Sequence, residues 1–276
     1  MDIISNREQF SREFFKEFYE FVPDPEKIQK QFYPGNLFQS NFGESYYFSF
    51  IIANLDNDSN PECIFLIGPE KSPNRLFIVL KKGKKEWKIP FYKMIFNKTR
   101  KPIIQLYNSI DSGSIFSVSL EYKTSPGIYK SGLEFYKLQD ESVYRVLSII
   151  TEISNLNHND IYGIMHSTIE FNESKIGAHY NFSYYTPLVT KNSFNEINFL
   201  RKEIVLWHEW NSKAKKFIPK FNEEFGKNKL KVIESIPSVE FSVNDFCDSF
   251  NKDLIKNMNS GSLEKKAIRN LLDKCK

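Results

Sequence analysis

Three residues in the middle of the chain have the types and the spacing that metal-dependent hydrolysis requires. They are Asp111, Glu121 and Lys123. Two carboxylates can hold a divalent cation such as Mg²⁺, and a neighbouring lysine can position or activate the attacking water. Because side chains alternate along a strand, Glu121 and Lys123 would share one face of a strand predicted over residues 112–123. The three residues are therefore a candidate catalytic site with Mg²⁺ as its cofactor.

The same three residues resemble the skeleton of the PD-(D/E)xK nucleases, a resemblance that implies Mg²⁺-dependent cleavage of nucleic acid. Two departures weaken the match, because Asp111 opens a Ser-Gly turn and follows Ile110 where that family has a proline. The alternative is an ordinary solvent-facing strand on which Glu121 and Lys123 form an ion pair. A short motif needs its structural context, so we favour the ion pair and keep the nuclease as the second hypothesis.

Other motifs for chemistry are incomplete. His166 and Thr168 form one His-x-Thr element of a two-histidine phosphoesterase signature, which needs two copies to hold a phosphate. The cysteines Cys63, Cys247 and Cys275 form no Cys-x-x-Cys pair, which argues against a zinc site and predicts reduced thiols. Nucleotide-binding glycine patterns and a serine nucleophile elbow are not found in the sequence. We therefore expect no metal and no cofactor outside the nuclease hypothesis.

The composition is that of a folded, intracellular protein. The 276 residues are 41% hydrophobic and 26% charged, with a formal net charge of +4. The first residues are too polar for a secretory signal, and no stretch approaches the roughly 20 apolar residues of a membrane span. These features predict a soluble, cytoplasmic protein that does not enter a membrane.

Hydrophobic periodicity predicts both helices and strands. The predicted elements are a helix over 7–21, a meander of six or seven strands over 44–138, a helix over 141–154, strands over 161–171, 175–185 and 198–210, and two C-terminal helices from Val243. This order indicates an α+β fold with antiparallel sheets and helices packed on one side. We place the domains at 1–139 and 140–276. A similarity between 43–50 and 177–184 would make them two related halves.

Two lysine clusters could follow a phosphate backbone. They comprise Lys81, Lys82, Lys84 and Lys85 on a predicted hairpin, and Lys213, Lys215 and Lys216 on a predicted helix. Lysine-rich turns also protect strand edges and keep proteins in solution. We favour this second interpretation because arginine, the better reader of phosphates and bases, is scarce here. Nucleic acid remains a possible partner of the clusters.

Residues 141–210 resemble the YezG-type immunity proteins of bacterial toxin systems. The resemblance is carried by ESVYRVLSII as a helix, SKIGAHYNFSYYTP as an aromatic hairpin strand and FLRKEIVLWHEW as a tryptophan-bearing strand. It implies a non-enzymatic protein that binds and occludes a partner toxin. The basic charge of the chain departs from this, since proteins that block nucleases usually present acidic surfaces.

Exposed aromatic residues would dominate such a protein-binding surface. The candidates are Tyr184, Tyr185, Trp207 and Trp210, for which packing in the core is the alternative. The sequence thus favours a non-enzymatic protein-binding factor, such as a toxin-neutralising or antiviral defence protein. A metal-dependent nuclease or nucleic-acid-binding protein is the alternative, so enzymatic activity stays an open question.

Overall fold

Antiparallel strands dominate the structure. The computed structural model describes residues 46–56, 58, 60, 62–69, 73–82, 87–100, 102–109, 113–122, 124, 126–155, 162–190, 193–223, 225–235, 243–258 and 262–274. Strands account for 63% of the described residues and helices for 19%. The predicted α+β class is therefore wrong, and the fold is mostly antiparallel β. The helix predicted over 7–21 lies outside the described residues.

Within the described residues, twelve strands form two sheets in which sequence neighbours pair. The first sheet has the order β1-β2-β3-β4, and the second has the order β12-β11-β10-β9-β8-β7-β6-β5. The strands are β1 (Tyr46–Ala53), β2 (Glu62–Pro69), β3 (Asn74–Lys82), β4 (Trp87–Phe96), β5 (Ile104–Ser109), β6 (Ser114–Glu121), β7 (Ile128–Gln139), β8 (Ser142–Asn155), β9 (Tyr162–Asn172), β10 (Lys175–Thr190), β11 (Ser193–Asn211) and β12 (Lys216–Pro219). The six or seven strands predicted over 44–138 correspond to β1 to β7, but these seven strands belong to two sheets and not to one meander.

The helix predicted over 141–154 is strand β8. Asp140 and Glu141 both have positive φ, at 50° and 62°. They form the two-residue turn that joins β7 to β8, a geometry that matches the twist of a hairpin. The segment is rich in β-branched residues, which lose rotamer freedom in a helix and pack well on a pleated sheet. The hairpin turn and the β-branched side chains thus favour a strand, although the spacing of Val143, Leu147 and Ile150 fits a helix.

The Cα positions divide the chain into two compact units. The first comprises residues 1–120 and 135–145, and the second comprises 121–134 and 146–276. The β7–β8 hairpin contributes to both, and its tip belongs to the first unit. The boundary proposed at 139/140 falls in that tip and stays a prediction, as does the relation between two halves.

The first unit has an aromatic core between its two sets of strands. Phe77 of β3 lies edge-on to Phe116 of β6, with ring centroids 6.0 Å apart. Phe91 of β4 lies 5.3 Å from Tyr136 of β7, and Phe116 stacks on the same tyrosine at 5.7 Å. Burying such large rings supplies much of the driving force for folding. These contacts hold β3 and β4 against β6 and β7.

The second unit contains the helices of the described residues, α1 (Lys227–Ser235), α2 (Val243–Asn257) and α3 (Ser262–Lys274). The two C-terminal helices predicted from Val243 are confirmed as α2 and α3. Phe246, Phe250 and Leu254 of α2 recur at helical spacing and are fully buried. Phe250 packs on Phe182 of β10 at 5.7 Å. None of the described helices is long and apolar enough to cross a membrane.

Candidate functional site: the open face of strands β9 to β11

Strict alternation divides β10 into a helix face and an open face. Ile176, Ala178, Tyr180, Phe182 and Tyr184 are buried on the helix face. The residues between them point to the other side of the sheet, because successive side chains of a strand point in opposite directions. The antiparallel register extends both faces across β9 and β11. We call the second side of these three strands the open face.

Polar and charged side chains cover most of the open face. Its members are His166, Thr168 and Glu170 of β9, Gly177, His179 and Asn181 of β10, and Arg201, Glu203, Val205 and Trp207 of β11. His179 Nε2 lies 2.9 Å from Glu170 Oε2, and Asn181 donates to Glu203 at 3.1 Å. His166 Nδ1 lies 4.0 Å from a carboxylate oxygen of Glu152 on β8. Acidic and basic groups therefore alternate over the face.

Trp207 supplies an aromatic centre to the open face. It lies opposite Gly177 in the register, and a Cβ atom at Gly177 would come within 3.0 Å of the indole ring. Glycine therefore leaves the room that the ring occupies over the neighbouring strand. His179 lies edge-on to the indole, with ring centroids 6.5 Å apart. Val205, two residues before Trp207, is 38% exposed and extends the apolar patch.

The four aromatic residues predicted to bind a partner are separated by the structure. Tyr184 is fully buried among Phe182, Phe246 and Phe250, so the expectation that it is an exposed binding residue is wrong. Tyr185 is half-buried and stacks on Tyr162 at 5.3 Å. Trp207 lies on the open face, and Tyr185 lies on the same side of β10 as His179 and Asn181.

Trp210 lies on the same side of β11 as the helix face. It is half-buried, and its ring lies edge-on to Phe217 of β12 at 5.3 Å. The buried His208 lies two residues earlier on that side, with Nδ1 3.3 Å from the carbonyl oxygen of Ile176. Burial lowers the pKa of His208 despite that carbonyl, so the ring is neutral near pH 7. Both residues therefore contribute to packing.

The residues of the nuclease hypothesis are not assembled within the described part of the chain. Glu121 ends β6 and is only 5% exposed. Asp111 and Lys123 lie outside the described residues. The geometry that would hold Mg²⁺ therefore stays a prediction.

The lysine clusters also differ from the sequence expectation. Lys81 is bound to Asp56 and Asp58, while Lys84 and Lys85 lie outside the described residues, as does the side chain of Lys82. The exposed Lys213, Lys215 and Lys216 lie at the β11–β12 turn, so the helix predicted for them is wrong. Lys215 has a positive φ of 51°, which belongs to a turn.

Cysteine chemistry departs in part from the prediction. Cys63 is a buried free thiol, and burial raises its pKa to about 12, which makes the thiol unreactive. Cys247 of α2 is disulfide-bonded, so the expectation of reduced thiols does not hold for it.

Carboxylates that could hold a metal ion meet in the loop between β1 and β2. Asp56, Asp58 and Glu62 each place an oxygen within 4.8 Å of the others. The sequence marks this loop only as a polar turn, although its acids recur at alternate positions. The sequence signal for the open face is similarly weak and consists of the polar residues His166, Thr168 and Glu170 at alternate positions along β9.

Comparisons with known proteins do not assign the chain to a family. No protein-family model matches it, and no curated protein is similar in sequence. Among solved structures, MPT-1, a GDP-Man-dependent mannosyltransferase from Leishmania mexicana, aligns with 72% of this chain and 76% of its own, at 9% identity and a TM-score of 0.24. A likeness this weak carries no argument about fold or function.

Proposed function

We propose that the protein is a non-enzymatic protein-binding factor whose partner docks on the open face. The observation that supports this proposal is the exposed Val205 beside the half-buried Trp207, framed by polar groups on three strands. An aromatic centre with a polar rim is the usual anatomy of a protein–protein interface. The patch needs no large rearrangement to bind, because its strands are held by continuous pairing.

Charge on the open face favours a protein over a nucleic acid as the partner. Glu152, Glu170 and Glu203 lie among His166, His179 and Arg201. A phosphate backbone needs an uninterrupted basic track, and carboxylates repel it. A protein surface with its own acidic and basic groups can complement such a mixed pattern.

A toxin-neutralising or defence-associated role is the form of this function that we propose. Its support is the resemblance of residues 141–210 to YezG-type immunity proteins, in which an aromatic hairpin precedes a tryptophan-bearing strand. Strands β10 and β11 have that order, with Trp207 and Trp210 on β11. The helix that the resemblance implies at 141–154 is instead strand β8. The support therefore comes from the hairpin and the tryptophan strand.

A charged substitution on the open face tests the proposal. We expect Val205→Arg to weaken the complex with the partner at least about a hundredfold, because a buried unpaired charge at an interface is costly. Ile255→Arg is the matched control, since Ile255 is an exposed aliphatic residue of α2, at 56% exposure. The partner would be isolated by affinity capture, purified and titrated calorimetrically with the wild type and both variants. Equal affinity of all three proteins would contradict the placement of the interface.

A direct assay separates this function from the nuclease alternative. We expect the purified protein to leave plasmid DNA and total RNA intact with Mg²⁺ or Mn²⁺, because Glu121 is buried at the end of its strand. The Glu121→Ala variant and an EDTA sample provide the controls. Cleavage that requires the metal and disappears in Glu121→Ala would replace the binding function with a nuclease.

A further inference from the structure

We infer that the β1–β2 loop is a calcium site formed by Asp56, Asp58 and Glu62. The loop belongs to the first unit, whereas the strands of the open face belong to the second, so this site is independent of the proposed partner. The three carboxylate oxygens lie within 4.8 Å of one another, close enough to share one cation. Oxygen donors alone suit hard cations such as Ca²⁺ and disfavour zinc.

An unsatisfied oxygen of Glu62 points to a ligand in this cluster. Glu62 is completely buried, and its Oε2 accepts the backbone N–H of Leu55 at 2.8 Å. Its Oε1 is also buried and has no hydrogen-bond partner. Buried polar atoms without partners are rare in folded proteins and call for an explanation such as an ion. A cation shared with Asp56 and Asp58 would satisfy this atom.

The loop backbone already holds the carboxylates of the cluster in place. The N–H of Asp58 donates to Asp56 Oδ1 at 3.2 Å, and the N–H of Asn60 donates to Asp58 Oδ1 at 2.6 Å. The carbonyl oxygen of Leu55 accepts the N–H of Ser114 at 3.0 Å, which fixes the loop to β6. These bonds reduce the ordering that cation binding would otherwise require.

The spacing of the ligands resembles part of a known calcium loop. Asp56, Asp58 and Asn60 occupy alternate positions, as do the first three ligands of the EF-hand loop, and Glu62 continues the series. The loop lacks the glycine that follows those ligands in an EF-hand and has Pro61 there. The loop is therefore not an EF-hand, although its oxygen-bearing residues also occupy alternate positions in the sequence.

Lys81 pairs with two of the three carboxylates of the cluster. Its ammonium is bonded to Asp56 Oδ2 and lies 3.3 Å from Asp58 Oδ2. One lysine cannot balance Asp56, Asp58 and Glu62 once all three carboxyl groups are ionised, so at a pH above about 7 the cluster keeps a net negative charge. That excess provides the electrostatic attraction for a divalent cation.

Calcium titration tests the inference directly. EDTA-treated protein would be dialysed and titrated with CaCl₂ by isothermal calorimetry, and its melting temperature followed with added Ca²⁺ or Mg²⁺. We expect saturable binding with a Kd between about 10⁻⁵ and 10⁻³ M, the range of sites with few charged ligands, and a higher melting temperature with Ca²⁺. Magnesium should raise it less, because Mg²⁺ demands stricter octahedral geometry.

Two asparagine variants show whether the ion binds at this loop. Asp58→Asn removes one ligand charge from a part-exposed residue, and we expect at least about a tenfold loss of calcium affinity with an unchanged circular dichroism spectrum. Asp248→Asn makes the same change at an exposed position of α2 and should bind as the wild type does. No calcium binding by the wild type, or equal binding by Asp58→Asn, would overturn the inference.

Discussion

We expect Tyr184→Ala to lower the free energy of unfolding of the second unit by about 3 to 5 kcal/mol, the usual cost of truncating a large buried aromatic residue. Its ring lies 4.7 Å from that of Phe246 and 5.4 Å from that of Phe250, so truncation would leave a cavity between β10 and α2. Urea denaturation followed by tryptophan fluorescence would measure the loss. Tyr185→Ala, at the half-buried neighbouring position, should cost clearly less.

The Tyr184→Phe variant separates the contribution of the ring to the free energy of unfolding from that of the hydroxyl group. The hydroxyl oxygen is buried without a hydrogen-bond partner, and burial raises the pKa of Tyr184 well above its ordinary value. Removing an unpaired buried hydroxyl group should leave the free energy of unfolding unchanged or raise it by about 1 kcal/mol. A variant Tyr184→Ala that keeps its stability but loses its partner would contradict the assignment of this residue to the core.

Glu62→Gln should raise the free energy of unfolding of the first unit by about 3 kcal/mol at pH 8 in EDTA, and by little at pH 5. The pKa of Glu62 is raised to about 7, mainly by burial and also by Asp56 and Asp58, against the opposing effects of the Leu55 N–H and Lys81. A folded-state pKa above the unfolded one favours the folded protein below about pH 4.5. That advantage is lost as the pH rises through about 7.

The measurement is a series of urea unfolding curves at half-unit steps from pH 5 to pH 8. The difference between wild type and Glu62→Gln should grow with pH across this window, since glutamine cannot ionise. Glu223→Gln, at an exposed position before α1, should show no such trend. A difference that does not change with pH would contradict a folded-state pKa of about 7 for Glu62.

Much of the strand pattern followed from the sequence alone. The turn-rich segments predicted at 56–62 and 172–174 separate the apolar runs of β1 from β2 and of β9 from β10, because strands are short and alternate visibly between buried and exposed positions. The break around 259–261 likewise separated α2 from α3. The number of sheets did not follow, since strand pairing is a long-range choice that local patterns do not encode.

The helix predicted over 141–154 shows where periodicity fails. Its apolar residues fit both a helix stripe and a buried strand, and the segment is long enough for either. The positive φ values of Asp140 and Glu141 commit the chain to a hairpin with β7. Because β8 can then form backbone hydrogen bonds to β7, its β-branched side chains pack better in the sheet than they would in a helix. That error accounts for much of the wrong α+β prediction.

The sequence by itself determined the strand-rich regions, the C-terminal helices and the presence of an aromatic strand pair at β10 and β11. Tertiary structure decided which side of that pair α2 packs on, placing Tyr184 in the core and the half-buried Trp207 on the opposite side. It also brings Asp56 and Asp58 of the loop close to the buried Glu62, and it places Lys81 of β3 in an ion pair with Asp56. Burial and charge pairing arise between residues distant in sequence, and local composition does not reveal them.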